Sequence, residues 1–119
     1  MSEVNIITSI EFDAFIKRPR AKDEVSVIQF AADWCGPCKT LTSALNQEID
    51  ALEASGKVRI AKIDVGNEAA LSSKYRIRTL PTILFFRNSE VIHEIRTGVT
   101  FGSLKSALSL LTSDEEDDF

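Results

Sequence analysis

The sequence predicts an α/β domain built on a mixed five-stranded sheet with helices on both faces. Three observations predict it. Apolar segments of strand length alternate with stretches of helical period along the chain. Residues 25–32 are almost unbrokenly apolar, as a central strand covered on both faces requires. Residues 82–86 and 91–95 are two strand-like runs joined across Asn88-Ser89, most simply an antiparallel hairpin.

Taken in order, residues 4–7 form a short apolar run. Thr8, with Glu11 three residues later, has the pattern of a capping box. The helix it opens carries Ile10, Phe12, Phe15 and Ile16 and stops at Pro19. After the central strand, a helix runs from Pro37 to about Ala54, with Gly56 just past its end as a C-cap. Its apolar stripe is Leu41, Leu45, Ile49 and Leu52. Residues 58–64 read as another strand, and Asn67 is placed to cap a short helix through Leu71 to Tyr75. Gly98 breaks the chain, and Phe101, Leu104, Leu108 and Leu111 form one face of a last helix. Phe12, Phe15, Phe30, Phe85, Phe86 and Phe101 all fall on core periodicities.

The chain has 119 residues, enough for one ordinary core and too few for two. With 44% apolar and 27% charged residues it is globular rather than disordered. No apolar run approaches the ~20 residues of a membrane-spanning helix. The net charge of −4 is concentrated in Asp114, Glu115, Glu116, Asp117 and Asp118. The chain therefore divides into a domain over 1–112 and an acidic tail over 113–119, solvated and mobile. The remaining body is near neutral and has no basic field for phosphates, which argues against nucleic acid as a partner. The first five residues show neither a basic n-region nor an apolar h-region, so the expectation is a cytoplasmic protein.

Cys35 and Cys38 are the only cysteines and His93 the only histidine. Two cysteines are too few for a secreted disulfide scaffold, and with one distant histidine they cannot complete a four-ligand zinc site. No metal site is expected, and His93 on an edge strand is assigned no role.

The chemistry lies in Trp34-Cys35-Gly36-Pro37-Cys38-Lys39, which leaves a central strand and opens a helix. The first helical turn offers free N–H groups and the positive end of the macrodipole, which pull a thiol pKa below the ~8.5 of a free cysteine. Cys35, just before that turn, is the expected exposed nucleophile of thiol–disulfide exchange. Cys38, one turn on, lies in line with Leu41 and Leu45 on the buried edge, with an expected Cα separation of roughly 5 to 6 Å from Cys35. A sheltered thiol there can resolve a mixed disulfide at Cys35. Pro37 pre-sets a helical φ, Gly36 admits a client backbone, and Trp34 supplies a flat apolar wall.

This segment after a strand resembles the active site of the thioredoxin family, and the resemblance runs over roughly residues 4–111. Asp64 ends the third strand as the family pattern has it. Arg78-Thr79-Leu80-Pro81-Thr82 is similar to the family's loop ending in a cis-proline opposite the active site, and Gly98 to the glycine of its substrate groove. The resemblance implies a thioredoxin fold and a monomeric disulfide reductant without bound cofactor. It implies recycling by an NADPH-dependent flavoprotein, thioredoxin reductase, and action on disulfide-containing client proteins. It also implies that Trp34, Thr79, Leu80, Pro81 and Gly98 bind the client, whose extended segment pairs with backbone groups before Pro81.

Two positions depart from the family pattern. Gln29 stands where a buried aspartate is usual, six residues before Cys35. In the family that carboxylate is thought to help deprotonate the second cysteine, which an amide cannot do. Gln29 is then a buried amide satisfied by hydrogen bonds, and Lys62, the family's neighbour of the aspartate, tilts toward Asp64 or stays solvated. Ala31 replaces a bulky aromatic common among relatives.

A reducing electron carrier is the leading reading. A non-catalytic adaptor using the acidic tail is the alternative, disfavoured by the intact cysteine pair. An oxidase or isomerase would need an oxidising compartment.

Overall fold

The computed structural model describes residues 3–17 and 23–112. The elements follow the order β1 (Asn5–Ile6), α1 (Ser9–Lys17), β2 (Val25–Ala31), α2 (Gly36–Ala54), β3 (Val58–Asp64), α3 (Ala69–Lys74), β4 (Thr82–Arg87), β5 (Glu90–Ile95) and α4 (Phe101–Leu111). The strands form one sheet in the order β1-β3-β2-β4-β5. β1 and β2 run parallel to β3, whereas β4 runs antiparallel to β2 and to β5. The long connection through α2 makes the parallel β2–β3 pair possible; the two-residue connection Asn88-Ser89 makes the hairpin. Both turn residues have positive φ, 53° and 71°, as a type I′ hairpin turn demands.

Side chains alternate across the sheet and build a core on each face. On one face Val25, Val27, Ile60 and Phe85 pack against Leu41, Leu45 and Ile49 of α2 and Leu104 and Leu108 of α4. On the other, Ile28, Phe30, Ile63 and Phe86 meet Phe12 and Ile16 of α1 and Leu71 of α3. Every residue of β2 is buried, as its unbroken apolar run predicts.

Thr8 and Glu11 do form the capping box: the Thr8 N–H donates to Glu11 Oε1 at 2.8 Å, and the Glu11 N–H to Thr8 Oγ1 at 3.3 Å. Other details differ from the sequence reading. Ile10 is 85% exposed rather than in the core, because the face of α1 set by Phe12 and Ile16 turns it outward. Phe15 and Phe101 are only partly buried. Asn67 does not cap α3. Its side-chain amide donates to Asp64 Oδ2 at 3.0 Å, and Glu68 stands at the cap position, with its carboxylate receiving Ser9 Oγ at 2.5 Å. Pro19 and the acidic run lie outside the described residues.

Candidate active site

The carbonyl of Ala31, at the end of β2, accepts the Val65 N–H at 2.9 Å, tying the exits of two parallel strands together. A turn closed by the Cys35 N–H on the Ala32 carbonyl leads into α2. Cys35 is the N-cap residue, with an extended backbone, and its Sγ accepts the Cys38 N–H at 3.1 Å. Sulfur thus fills the place of a capping oxygen. A negative charge there would meet the free N–H groups and the dipole of a 19-residue helix. Pro37 occupies the first turn, where its missing N–H costs nothing. Gly36 has open space where a Cβ would stand.

The two sulfurs are bonded to one another, with Cα atoms 5.3 Å apart. The expected exposure of Cys35 is not observed. It is 5% exposed, hardly more than Cys38 at 2%, because Ala31, Ala32, Val65 and Leu80 close around the disulfide. The ground beside it is open instead: Trp34 is 78% exposed, and Gly36 and Pro37 are also at the surface.

Gln29 is fully buried on the α2 face of β2. Its Nε2 donates to the Cys38 carbonyl at 3.3 Å, and its Oε1 accepts the Thr42 hydroxyl at 3.2 Å. The amide is satisfied at both ends, so no carboxylate adjoins the inner cysteine at this position. Lys62 pairs with Gln29 across β2 and β3. It lines a cavity of about 260 Å³ with Cys38, Thr42, Ala31 and Asp64. Ala31 forms part of that wall. Asp64 is committed to the turn after β3, accepting the Gly66 N–H at 2.9 Å and the Asn67 amide.

On the other side of the disulfide the Leu80–Pro81 peptide bond is cis, and Leu80 packs against the cysteine cluster. Thr79 is exposed; its hydroxyl donates to the Arg96 carbonyl at 2.8 Å, and its carbonyl accepts the Thr82 hydroxyl at 2.7 Å. Gly98 has a φ of 59°, a left-handed turn that favours glycine. Val99 and Thr100, just after it, line an open groove with Pro37, Thr40 and Leu41.

The sequence model of the thioredoxin family matches residues 3–109. The chain is 34% identical over 92 residues to a thioredoxin of Haemophilus influenzae, covering 77% of this chain and 81% of that protein. It is 36% identical over 77 residues to a thioredoxin of Rickettsia felis, covering 65% and 71%. The crystal structure of Malassezia sympodialis thioredoxin superposes with a TM-score of 0.78 at 29% identity, covering 95% of this chain and 94% of that one. The chain belongs to the thioredoxin family.

Its activity is therefore thiol–disulfide oxidoreduction through the Cys35–Cys38 pair, on a thioredoxin fold. Thioredoxins carry no bound cofactor; the cysteine pair itself carries two electrons as the dithiol and gives them up on forming the disulfide. Among the described residues no cluster of His, Cys, Asp and Glu is arranged to hold a metal, and no helix is long and apolar enough to cross a membrane. Sequence reasoning missed Thr42 and Arg96. Thr42 had a signal, since it lies four residues after Cys38 on the same helix face. Arg96 had none, because its partners lie twenty residues away in a loop.

Proposed function

We propose that this thioredoxin is a reductant of protein disulfides in which Cys35 attacks and Cys38 resolves. The observation that carries the reading is the sulfur of Cys35 at the helix cap, accepting the Cys38 N–H. A Cys35 thiolate attacks the client disulfide, forms a mixed disulfide and releases one client thiolate, which takes up a proton. Cys38 gives its proton to water and attacks Cys35 Sγ. The intramolecular disulfide forms, the second client thiol leaves, and two electrons have passed to the client. Trp34, Thr79, Leu80, Pro81 and Gly98 form the client-binding rim; Gly36, Pro37, Gln29 and Lys62 tune the couple.

The oxidised pair is returned to dithiol by an NADPH-dependent flavoprotein thioredoxin reductase. A cytoplasmic location suits a carrier that must be kept reduced. The protein acts as a monomer, with neither nucleic acid nor membrane as partner. β1 is only two residues long, and β5 exposes Glu90, His93 and Glu94, so neither sheet edge invites a second copy. Residues 1–112 are the working domain and 113–119 an acidic tail.

Reduction of insulin with a chemical reductant or with thioredoxin reductase tests this. Turnover should vanish in Cys35→Ser, and Cys38→Ser should accumulate a stable mixed disulfide that identifies clients. An unaltered protein that fails to reduce insulin would be an adaptor instead.

A further inference from the structure

We propose that Arg96 is a positioning residue that sets the width of the client groove. The inference rests on the reading of residues 79–81 and Gly98 as the walls of that groove. Arg96 follows the last residue of β5 and precedes Gly98 by two. Its guanidinium reaches across to the loop between α3 and β4: Nη1 donates to the Arg76 carbonyl at 2.8 Å and Nη2 to the Tyr75 carbonyl at 2.9 Å. Nε is engaged by Glu94 Oε1 at 2.5 Å, which fixes the plane of the fork. In the opposite direction, the Arg96 carbonyl accepts the Thr79 hydroxyl at 2.8 Å.

One residue just past β5 therefore holds the loop leading to Pro81 at two places, its start and the residue before Leu80. Among the described residues, backbone bonds secure the first part of that loop, through the Arg76 N–H on Ser73 and the Ile77 N–H on Ser72. Beyond Ile77, Thr79 is held by its hydroxyl bond to Arg96 and by Thr82. Arginine suits the task because its planar fork spans two carbonyls, which an ammonium group as a single point cannot do. Arg96 acts on the reaction only through where it places Leu80. An extended client that pairs with the backbone at Leu80 feels that placement; a small disulfide that needs no pairing does not.

The test compares the unaltered protein with Arg96→Met and Arg96→Lys on three substrates. These are an extended peptide disulfide, the same peptide with an ester replacing the amide that faces Leu80, and a small aromatic disulfide. Arg96→Met should raise KM for the amide peptide about fivefold to tenfold, the loss of roughly one charge-assisted hydrogen bond's worth of placement. Its kcat, its rate with the small disulfide and its exchange equilibrium with glutathione should stay within about twofold. Arg96→Lys, which keeps the charge and one donor contact, should give an intermediate KM. The ester should bind more weakly than the amide to the unaltered protein, and the gap should narrow in Arg96→Met. An ester penalty in the unaltered protein with no change of KM in Arg96→Met overturns this inference alone. So does an equal slowing of the peptide and small disulfides, which marks a general structural role. Equal KM values for ester and amide in the unaltered protein defeat the docking reading at Leu80, and this inference with it.

Discussion

Two buried polar groups stand towards opposite ends of the central strand, and they are handled in opposite ways. Glu24, just before β2, is 2% exposed and carries a charge; it meets Arg59 Nε at 2.8 Å. The same guanidinium donates to the Phe15 carbonyl and lies 4.3 Å from the centre of the Phe15 ring. Gln29, near the other end, is equally buried but neutral, and its partners are a backbone carbonyl and a hydroxyl. The end remote from the disulfide thus holds a fixed ion pair. The redox end keeps permanent charge off the strand beneath Cys38. A buried charge is tolerable only when matched, and a matched charge is a poor proton carrier because losing it strands its partner.

The comparison can be broken most forcefully at the ion pair. Arg59→Met removes the Arg59–Glu24 contact from a buried carboxylate and should cost about 3 kcal/mol of folding stability. Urea unfolding measures this, and insulin reduction by the folded fraction should be unchanged. A stability equal to the unaltered protein would mean that the pair does not hold this end of the sheet.

At the redox end the informative change is Gln29→Asp. A carboxylate introduced there is buried, so its pKa should lie above the usual carboxylate range, with desolvation as the cause. It can then accept the Cys38 proton. Resolution of the mixed disulfide, followed in single turnover, should speed up by about tenfold, less than a fully engaged base gives because water already serves. The pH profile should gain a step that the unaltered protein lacks. Unchanged rate and profile would refute the idea that Gln29 removes a base. A smaller effect is expected from Thr42→Val, which leaves Gln29 Oε1 without its donor at a cost of about 1–2 kcal/mol.

Tyr75 provides a control outside both ends. Its hydroxyl pKa is raised, first by burial among Phe12, Phe30 and Phe86 and second by the nearby Asp13 charge. The folded state therefore holds the phenol proton to higher pH than the unfolded chain does. Stability is unaffected below about pH 10, where both states are protonated, and falls as pH rises past it, because the unfolded chain ionises first. Tyr75→Phe should flatten that decline in urea midpoints measured at alkaline pH. An unchanged slope would assign the decline to other groups.

The strands and helices were legible because they obey short-range rules. The run 25–32 had to be central, the spacing of Leu41, Leu45 and Ile49 had to face a core, and Thr8 with Glu11 had to cap. The disulfide followed from a spacing of one helical turn, and the cis bond at Pro81 from likeness to a family. Features set by long-range contacts were not legible. The closure over Cys35 comes from Val65 and Leu80, which reach it from two other segments. Asn67 was misread because a turn after β3 claimed its side chain first. Ile10 fitted an apolar spacing, but Phe12 and Ile16 together decide which way α1 faces. Arg96 belongs with these, since nothing near it in the chain indicates a loop twenty residues back.

Trp34 is the sole indole of the chain and stands outward beside the reactive pair. A client seated over Cys35 as proposed should shield that ring from water, and the neighbouring disulfide should quench its emission when the pair is oxidised. The expected outcome is an intrinsic optical reporter in which arrival of a partner registers as a shift in emission colour and transfer of electrons as a change in brightness. The two events can be timed separately in one stopped-flow trace without attaching a dye.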